Sequence, residues 1–186
     1  MCMYKIIWLD GASGVGKTTV AKFLTNELME HGLTVDNVDS DYYYQEKYLS
    51  NPKIDQSKIN SPWADECFLK YFKGQLVLFC EKNDFLVVQM ALTDDKCRKI
   101  LLESLGEKVA INHIILNASK QTIKDRIKER AAKGVDQRQA LERLSWNMAY
   151  LNKYYKEDTW INTEEKSAES VADEIFSMID KSRLQK

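Results

Sequence analysis

Arginine and proline are scarce in this 186-residue chain, and the places they avoid are informative. Only Pro52 and Pro62 occur, so ring closure interrupts no helix or strand outside that one stretch. No arginine precedes Arg98, and all six (Arg98, Arg126, Arg130, Arg138, Arg143 and Arg183) stand in the second half. Cys2, Cys67, Cys80 and Cys97 are widely separated with no C-x-x-C, and only His31 and His113 remain to complete a metal set. That spacing excludes a zinc-type site and leaves free thiols suited to a reducing compartment. A net charge of −1 and a pI near 6.2 supply no basic excess, so no nucleic-acid partner is expected. No apolar run approaches membrane length, and Met1-Cys2-Met3-Tyr4-Lys5 does not begin a secretory leader. The expectation is a cytoplasmic protein with no membrane partner, a single domain over 1–186, monomeric or homodimeric. Repeats, low-complexity tracts and linkers are absent from the sequence.

What is present gathers near the start. Gly11-Ala12-Ser13-Gly14-Val15-Gly16-Lys17-Thr18 satisfies G-x-x-x-x-G-K-[ST] at every defined position. Glycines at 11, 14 and 16 let the backbone curl until several amide N–H groups point at one anion. Lys17 adds a point charge for the outer phosphates, the Thr18 hydroxyl suits Mg²⁺, and Thr19 belongs to the same turn. Tyr4 to Leu9 reads as a strand leading into this loop. Val20, Phe23, Leu24, Leu28 and Met29 then recur at helical spacing until Gly32 ends the run. Strand, glycine loop and helix N-terminus together make a phosphate site, and the expected ligand is a nucleoside triphosphate with magnesium.

Further strands read at Leu33 to Val38, Phe85 to Met90, Ala110 to Leu116 and Asp158 to Ile161. Helical patterns fall between them at Pro62 to Glu81, Thr93 to Ser104, Lys120 to Lys133, Val135 to Tyr155 and Lys166 to Lys181. This alternation predicts an α/β fold with a parallel sheet. Ser50 to Ser61 is the one polar irregular segment, and it reads as a substrate-side loop.

Asp39-Ser40-Asp41 follows the second strand, at the carboxyl end where open α/β sheets gather ligands. A carboxylate there can take the proton of a hydroxyl attacking a γ-phosphate, and Asp41 is assigned that role. Asp39 is assigned to the magnesium through water, because the third strand ends in Gln89 and offers no acid at its tip. The alternative is that both aspartates only cap the next turn. Arg126 and Arg130, four apart, share a helical face, and Arg138 and Arg143 follow Gly134 in a segment able to close as a lid. Salt pairs with Asp125, Glu129, Asp136 and Glu142 are the competing account of these arginines.

With these motifs the chain resembles the small P-loop kinases, which include nucleoside monophosphate, shikimate, gluconate and uridine kinases. The phosphate loop, Asp39-x-Asp41, Arg126-x-x-x-Arg130 before a lid, and Ile161-Asn162-Thr163 before a last helix carry the resemblance. It implies a three-layer fold with a five-stranded parallel sheet of order 2-3-1-4-5, helices on both faces and a helical lid over about 127–145. It also implies ATP with Mg²⁺, Arg126 stacked on adenine, Arg130 on phosphate, and Asn162 and Thr163 in the adenine-side loop. Lys17, Asp41, Arg130 and Arg138 are then the expected catalytic set.

The acceptor region, about 40–82, lacks arginine, the side chain that grips planar anions in forked fashion. Lys47, Lys53, Lys58 and Lys70 are weaker substitutes, whereas aromatic residues abound. Asp41, Tyr42, Tyr44 and Trp63 are therefore the expected acceptor contacts, and the expected acceptor is a small neutral molecule bearing a hydroxyl, with nucleoside-like molecules among the candidates. A nucleoside monophosphate kinase is the enzymatic alternative. A nucleotide-binding regulatory switch is the other, although the chain lacks the Asn-Lys-x-Asp element of guanine-specific switches.

Overall fold

A computed structural model describes residues 4–54, 62–134 and 137–179. Five strands, β1 (Tyr4–Asp10), β2 (Val35–Asp39), β3 (Phe85–Gln89), β4 (Ala110–Asn117) and β5 (Thr159–Asn162), form one sheet in the order β2-β3-β1-β4-β5. Every pairing is parallel. The expected order 2-3-1-4-5 is the observed one.

The sheet is covered twice because its central strands are apolar on both sides, as buried parallel strands must be. Ile7 and Leu9 of β1 pack with α1 (Lys17–Glu30), α6 (Lys120–Ala132) and α8 (Ala168–Ser177). Ile6 and Trp8, one residue out of phase, pack with α3 (Glu66–Lys82) and α7 (Arg138–Tyr154). On that second side Phe68, Phe72, Tyr44 and Tyr48 stack edge and face into one aromatic cluster. Trp8 satisfies its indole N–H by donating to the Met90 carbonyl at 3.1 Å, which lets the largest side chain of β1 lie fully buried.

One helical stretch was not anticipated. Ser40–Tyr43 forms α2 and continues as a π-helical turn over Tyr44–Tyr48. Its origin is local, since Asp39 Oδ1 accepts from the amides of Asp41 at 2.9 Å and Tyr42 at 3.3 Å and so caps the new helix. The helix expected from Pro62 begins at Glu66, where Asp65 accepts from Phe68 N at 2.9 Å. The segment expected over Thr93 to Ser104 is resolved as α4 (Asp95–Cys97), a π-helical run over Arg98–Glu103 and α5 (Ser104–Gly106). Residues 55–61 of the expected substrate-side loop, 135–136 of the expected lid and 180–181 of the expected last helix lie outside the described residues. Among the described residues no helix is long and apolar enough to cross a membrane.

Candidate active site

The loop after β1 turns through three residues with positive φ: Gly11 at 135°, Gly14 at 94° and Gly16 at 113°. Glycine is required twice over at two of them. A Cβ on Gly11 would stand 2.5 Å from the Leu116 carbonyl oxygen, and one on Gly14 would stand 2.7 Å from Ile127 and 3.1 Å from the Arg130 guanidinium. The helical ladder of α1 opens with Val20 N bonding Gly16 O at 3.0 Å. The N–H groups of Lys17 and Thr18 therefore precede the first rung, where the helix dipole favours an anion. Lys17 Nζ bends back to Gly11 O at 2.7 Å and Ala12 O at 3.3 Å. Burial pulls its pKa down and Arg130 adds to that, while Asp10, Asp41 and Asp39 oppose the shift.

A cleft of about 820 Å³ opens over this loop. Its floor is Ser13 to Val20, and Asp39, Ser40 and Asp41 form one side at the end of β2. Asp41 is exposed and opens onto the cleft. Desolvation raises its carboxyl pKa, Asp39 pushes the same way and Lys17 pulls against them. Gln89, in register with Asp39 across β2 and β3, donates through Nε2 to Asn37 Oδ1 at 2.5 Å. The third strand thus does end on an amide beside Asp39.

Helices α6 and α7 bring the arginines over the cleft. Arg126 donates to Val15 O at 3.2 Å, Thr163 Oγ1 at 3.0 Å and Thr163 O at 2.9 Å, and so ties α6 to the phosphate loop and to the turn after β5. Arg130 lies against Gly14, and desolvation lowers its pKa. Arg143, from the middle of α7, stacks on the Trp63 ring with its guanidinium carbon 4.6 Å from the centroid. Thr163 is buried beside the loop, whereas Asn162 Oδ1 accepts from Glu164 N at 2.8 Å and holds that turn without lining the cleft.

Two residues assigned to the acceptor stand elsewhere. Tyr44 is only 1% exposed, its ring inside the aromatic cluster and its hydroxyl donating to Asp65 at 3.4 Å. Tyr42 is 58% exposed and absent from the cleft lining, because the helical turn after Asp39 swings successive side chains to different faces. Arg138, exposed at the start of α7, does not line the cleft either. Trp63, Arg126, Arg130, Lys17, Thr18 and Thr19 all do.

Sequence reading passed over Asp10 and His113. Asp10 is fully buried beneath the loop, and its Oδ1 accepts from Gly11 N at 2.5 Å and Leu92 N at 3.1 Å. His113 places Nε2 3.0 Å from Asp10 Oδ2 and Nδ1 3.1 Å from Asp158 Oδ1. Both ring nitrogens therefore face carboxylates and both donate, which is the imidazolium arrangement. Burial works against that charge, but the hydrogen bonds to Asp10 and Asp158 outweigh it and raise the pKa to about 9. The available signal was a polar pair, Asn112-His113, interrupting an apolar strand. Since the folded value exceeds the ordinary 6.5, this linkage stabilises fully below pH 6.5 and is lost as pH rises through about 9. Its size is on the order of 3 kcal/mol. His113→Asn is expected to lose stability of that order at neutral pH and to flatten the alkaline decline, as read by urea unfolding at about pH 6, 8 and 10. An unchanged alkaline slope in the variant would assign the decline to other groups.

A strand, a glycine loop and a helix N-terminus at the carboxyl ends of a 2-3-1-4-5 parallel sheet define a P-loop nucleotide-binding domain. Residues 6–151 match the family described as AAA domain, and the chain belongs to that family. No curated protein matches the sequence. Solved structures share the fold at low identity. A Deinococcus radiodurans tunicamycin resistance protein is 18% identical with a TM-score of 0.70, covering 95% of each chain. A Mycobacterium tuberculosis APS kinase, solved with AMPPNP and APS, is 14% identical with a TM-score of 0.61, covering 95% of this chain and 98% of its own. An Acinetobacter baumannii shikimate kinase, solved with shikimate, is 19% identical with a TM-score of 0.61, covering 98% of this chain and 96% of its own. The fold is that of the small P-loop kinases.

Proposed function

We propose that this protein is an ATP-dependent phosphotransferase that moves the γ-phosphoryl group to a hydroxyl of a small molecule. The observation that carries the reading is that the phosphate loop with Lys17 and the Asp39–Asp41 turn line one cleft, with Lys17 and Asp41 each favouring the other's charged form. A phosphate-loop lysine holds the donor, and a carboxylate facing it is where an acceptor proton must go. Two solved proteins of the same fold are themselves named as kinases of small molecules, which supports the class of reaction.

In this reading the loop amides and Lys17 hold the β- and γ-phosphates, with Arg126 and Thr163 at the base side. The acceptor oxygen attacks the γ-phosphorus, its proton passes to the Asp41 carboxylate, and the bond from phosphorus to the β,γ-bridging oxygen breaks to leave ADP. Arg130, above Gly14, offsets charge on the transferring group, a contribution that grows as the lid excludes water. Arg138 stands at the first residue of α7, outside the cleft lining, and would join Arg130 only on closure. The residues present suit Mg²⁺ held chiefly by nucleotide and water. Thr18 supplies a hydroxyl and Asp39 a carboxylate, and among the described residues there is no cluster of three acid, histidine or cysteine ligands. Magnesium bound there neutralises phosphate charge. Cys67, Cys80 and Cys97 are unpaired, which suits work in a reducing cytoplasm.

The test is ADP release with Mg-ATP over a panel of nucleosides, nucleoside monophosphates, sugars and sugar acids. Acceptor-dependent release well above the acceptor-free rate is expected for at least one hydroxyl compound. A best substrate phosphorylated on an existing phosphate would select the monophosphate kinase alternative. Tight nucleotide binding without acceptor-dependent turnover would select the regulatory switch.

A further inference from the structure

The acceptor half of the cleft holds a cation that the arginine-free stretch before Cys97 does not foreshadow. Arg143 reaches it from α7, with its guanidinium carbon over the Trp63 ring. Its charge is felt by the Cys97 thiol, whose Sγ donates to the Trp63 carbonyl at 3.3 Å. Arg130, by contrast, lies on Gly14 and is felt by Lys17. The two arginines therefore serve opposite ends of the cleft, one over the phosphate loop and one at the far wall.

Arg143 differs from Arg98 and Arg126 in being uncommitted. Arg98 pairs with Asp95 and Glu103, and Arg126 donates to Val15 and Thr163. Among the described residues Arg143 has no carboxylate partner and makes no hydrogen bond. The Trp63 ring covers one side of the guanidinium, and its N–H groups remain as a fork that suits a planar anion. One turn further along α7, Asn147 lines the same wall, and its Oδ1 has no donor. The Gln89 amide, held by Asn37 through Nε2, likewise leaves Oε1 without one. The cleft lining thus holds one forked cation together with two buried amide oxygens that lack a donor.

Resting on the kinase reading above, we propose that the acceptor is a hydroxylated small molecule carrying an anionic group, and that Arg143 binds that group through its forked edge against Trp63. A neutral acceptor closing over this wall would strip water from the guanidinium and return only neutral hydrogen bonds, whereas a carboxylate, sulfate or phosphate oxygen pair returns stronger charge-assisted ones. Arg143 is a specificity-determining residue in this account and takes no part in the bond changes.

The test has two arms on the full chain, with AMPPNP binding as a separate control. In the first, the phosphate loop is filled with saturating Mg-AMPPNP, and thermal stabilisation is followed while sodium sulfate or sodium glycolate replaces chloride at equal ionic strength. Anion-specific stabilisation is expected in the wild type, abolished in Arg143→Ala and partly kept in Arg143→Lys. Equal stabilisation in wild type and Arg143→Ala overturns the proposal. The second arm compares matched acceptors: gluconate with glucitol, shikimate with its methyl ester, and nucleoside 5′-phosphates with nucleosides. Wherever a pair is turned over, the anionic member is expected to lead by about tenfold or more in kcat/KM, with the lead lost in Arg143→Ala. Equal or better use of the neutral members overturns the proposal and leaves the kinase reading standing. Failure of AMPPNP to bind the wild type removes the kinase reading itself, and with it the proposal that rests on that reading. Loss of AMPPNP binding in Arg143→Ala would reassign the residue to the nucleotide.

Discussion

Lys17→Ala is expected to lower acceptor-dependent turnover by about a thousandfold or more, with melting temperature unchanged or slightly raised. The direction of the stability change follows from the charge. Burial depresses the Lys17 pKa, and three carboxylates only partly offset it, so the protonated side chain is less favourable folded than free in water. For a lysine with a lowered folded pKa, that cost is present while the group is charged, at and below neutral pH, and alanine removes it. The substitution also removes the ties from Nζ to the Gly11 and Ala12 carbonyls, which works the other way and keeps the net change small. Phosphoryl transfer has no such compensation. Charge builds on the outer phosphate oxygens as the bond to the leaving group loosens, and no second cation shares the Lys17 position on the loop. A single-turnover assay with AMPPNP affinity measured alongside separates the two effects. Retained turnover with a lowered melting temperature would make Lys17 a strut of the loop and would leave the donor site to be found elsewhere.

How much of this was legible from residues alone depended on the range over which each signal acts. The phosphate loop is an eight-residue pattern flanked by its own strand and helix, so motif and context agreed without tertiary information. Sheet order came from the resemblance those motifs carry, and the structure has the same order. The acceptor side was less legible because its chemistry is assembled from distant segments. The arginine-free interval ending at Cys97 carries no sign of what distant chain brings to that wall. The fold instead lays α7 across it and brings in Arg143, 80 residues beyond Trp63 in the chain. Tyr44 failed as an acceptor contact for a related reason, since helical phase after Asp39 decides which ring meets the cleft, and that phase depends on a cap. The Asp10, His113 and Asp158 arrangement joins three separate strands or strand ends, and no local spacing records it.

Those observations also bear on how the site is held. Asp10 bonds the first loop amide and the Leu92 amide after β3, so one carboxylate fixes the floor of the cleft to its far wall. Arg126 fixes α6 to the same loop. The loop is thereby clamped from both sides by charged groups whose own partners are protein, and Arg130, Arg143 and Asp41 remain to face ligands. Rigid support beneath and uncommitted charge above is the division a transfer site needs, because preorganised groups stabilise developing charge without moving.

Asp41→Asn distinguishes a transfer site from a binding site most sharply. Turnover is expected to fall by about a hundredfold or more while AMPPNP affinity changes by no more than about threefold. The isosteric amide leaves the backbone amide of residue 41 free to donate to Asp39, so α2 keeps its cap. Stability should rise slightly. Desolvation and the nearby Asp39 charge raise the Asp41 pKa, so the ionised carboxylate is a cost in the folded state above that pKa, and asparagine relieves it. The pH profile supplies the independent reading. As a base, Asp41 must be ionised to take the acceptor proton, so kcat/KM of the wild type should fall on the acid side through a pKa above the ordinary carboxylate value of 3.8. In Asp41→Asn the residual rate should lack that limb. If turnover and the acid limb both survive the substitution, the proton leaves by another route. Asp39, whose second carboxylate oxygen is not used in the cap, is then the next group to replace.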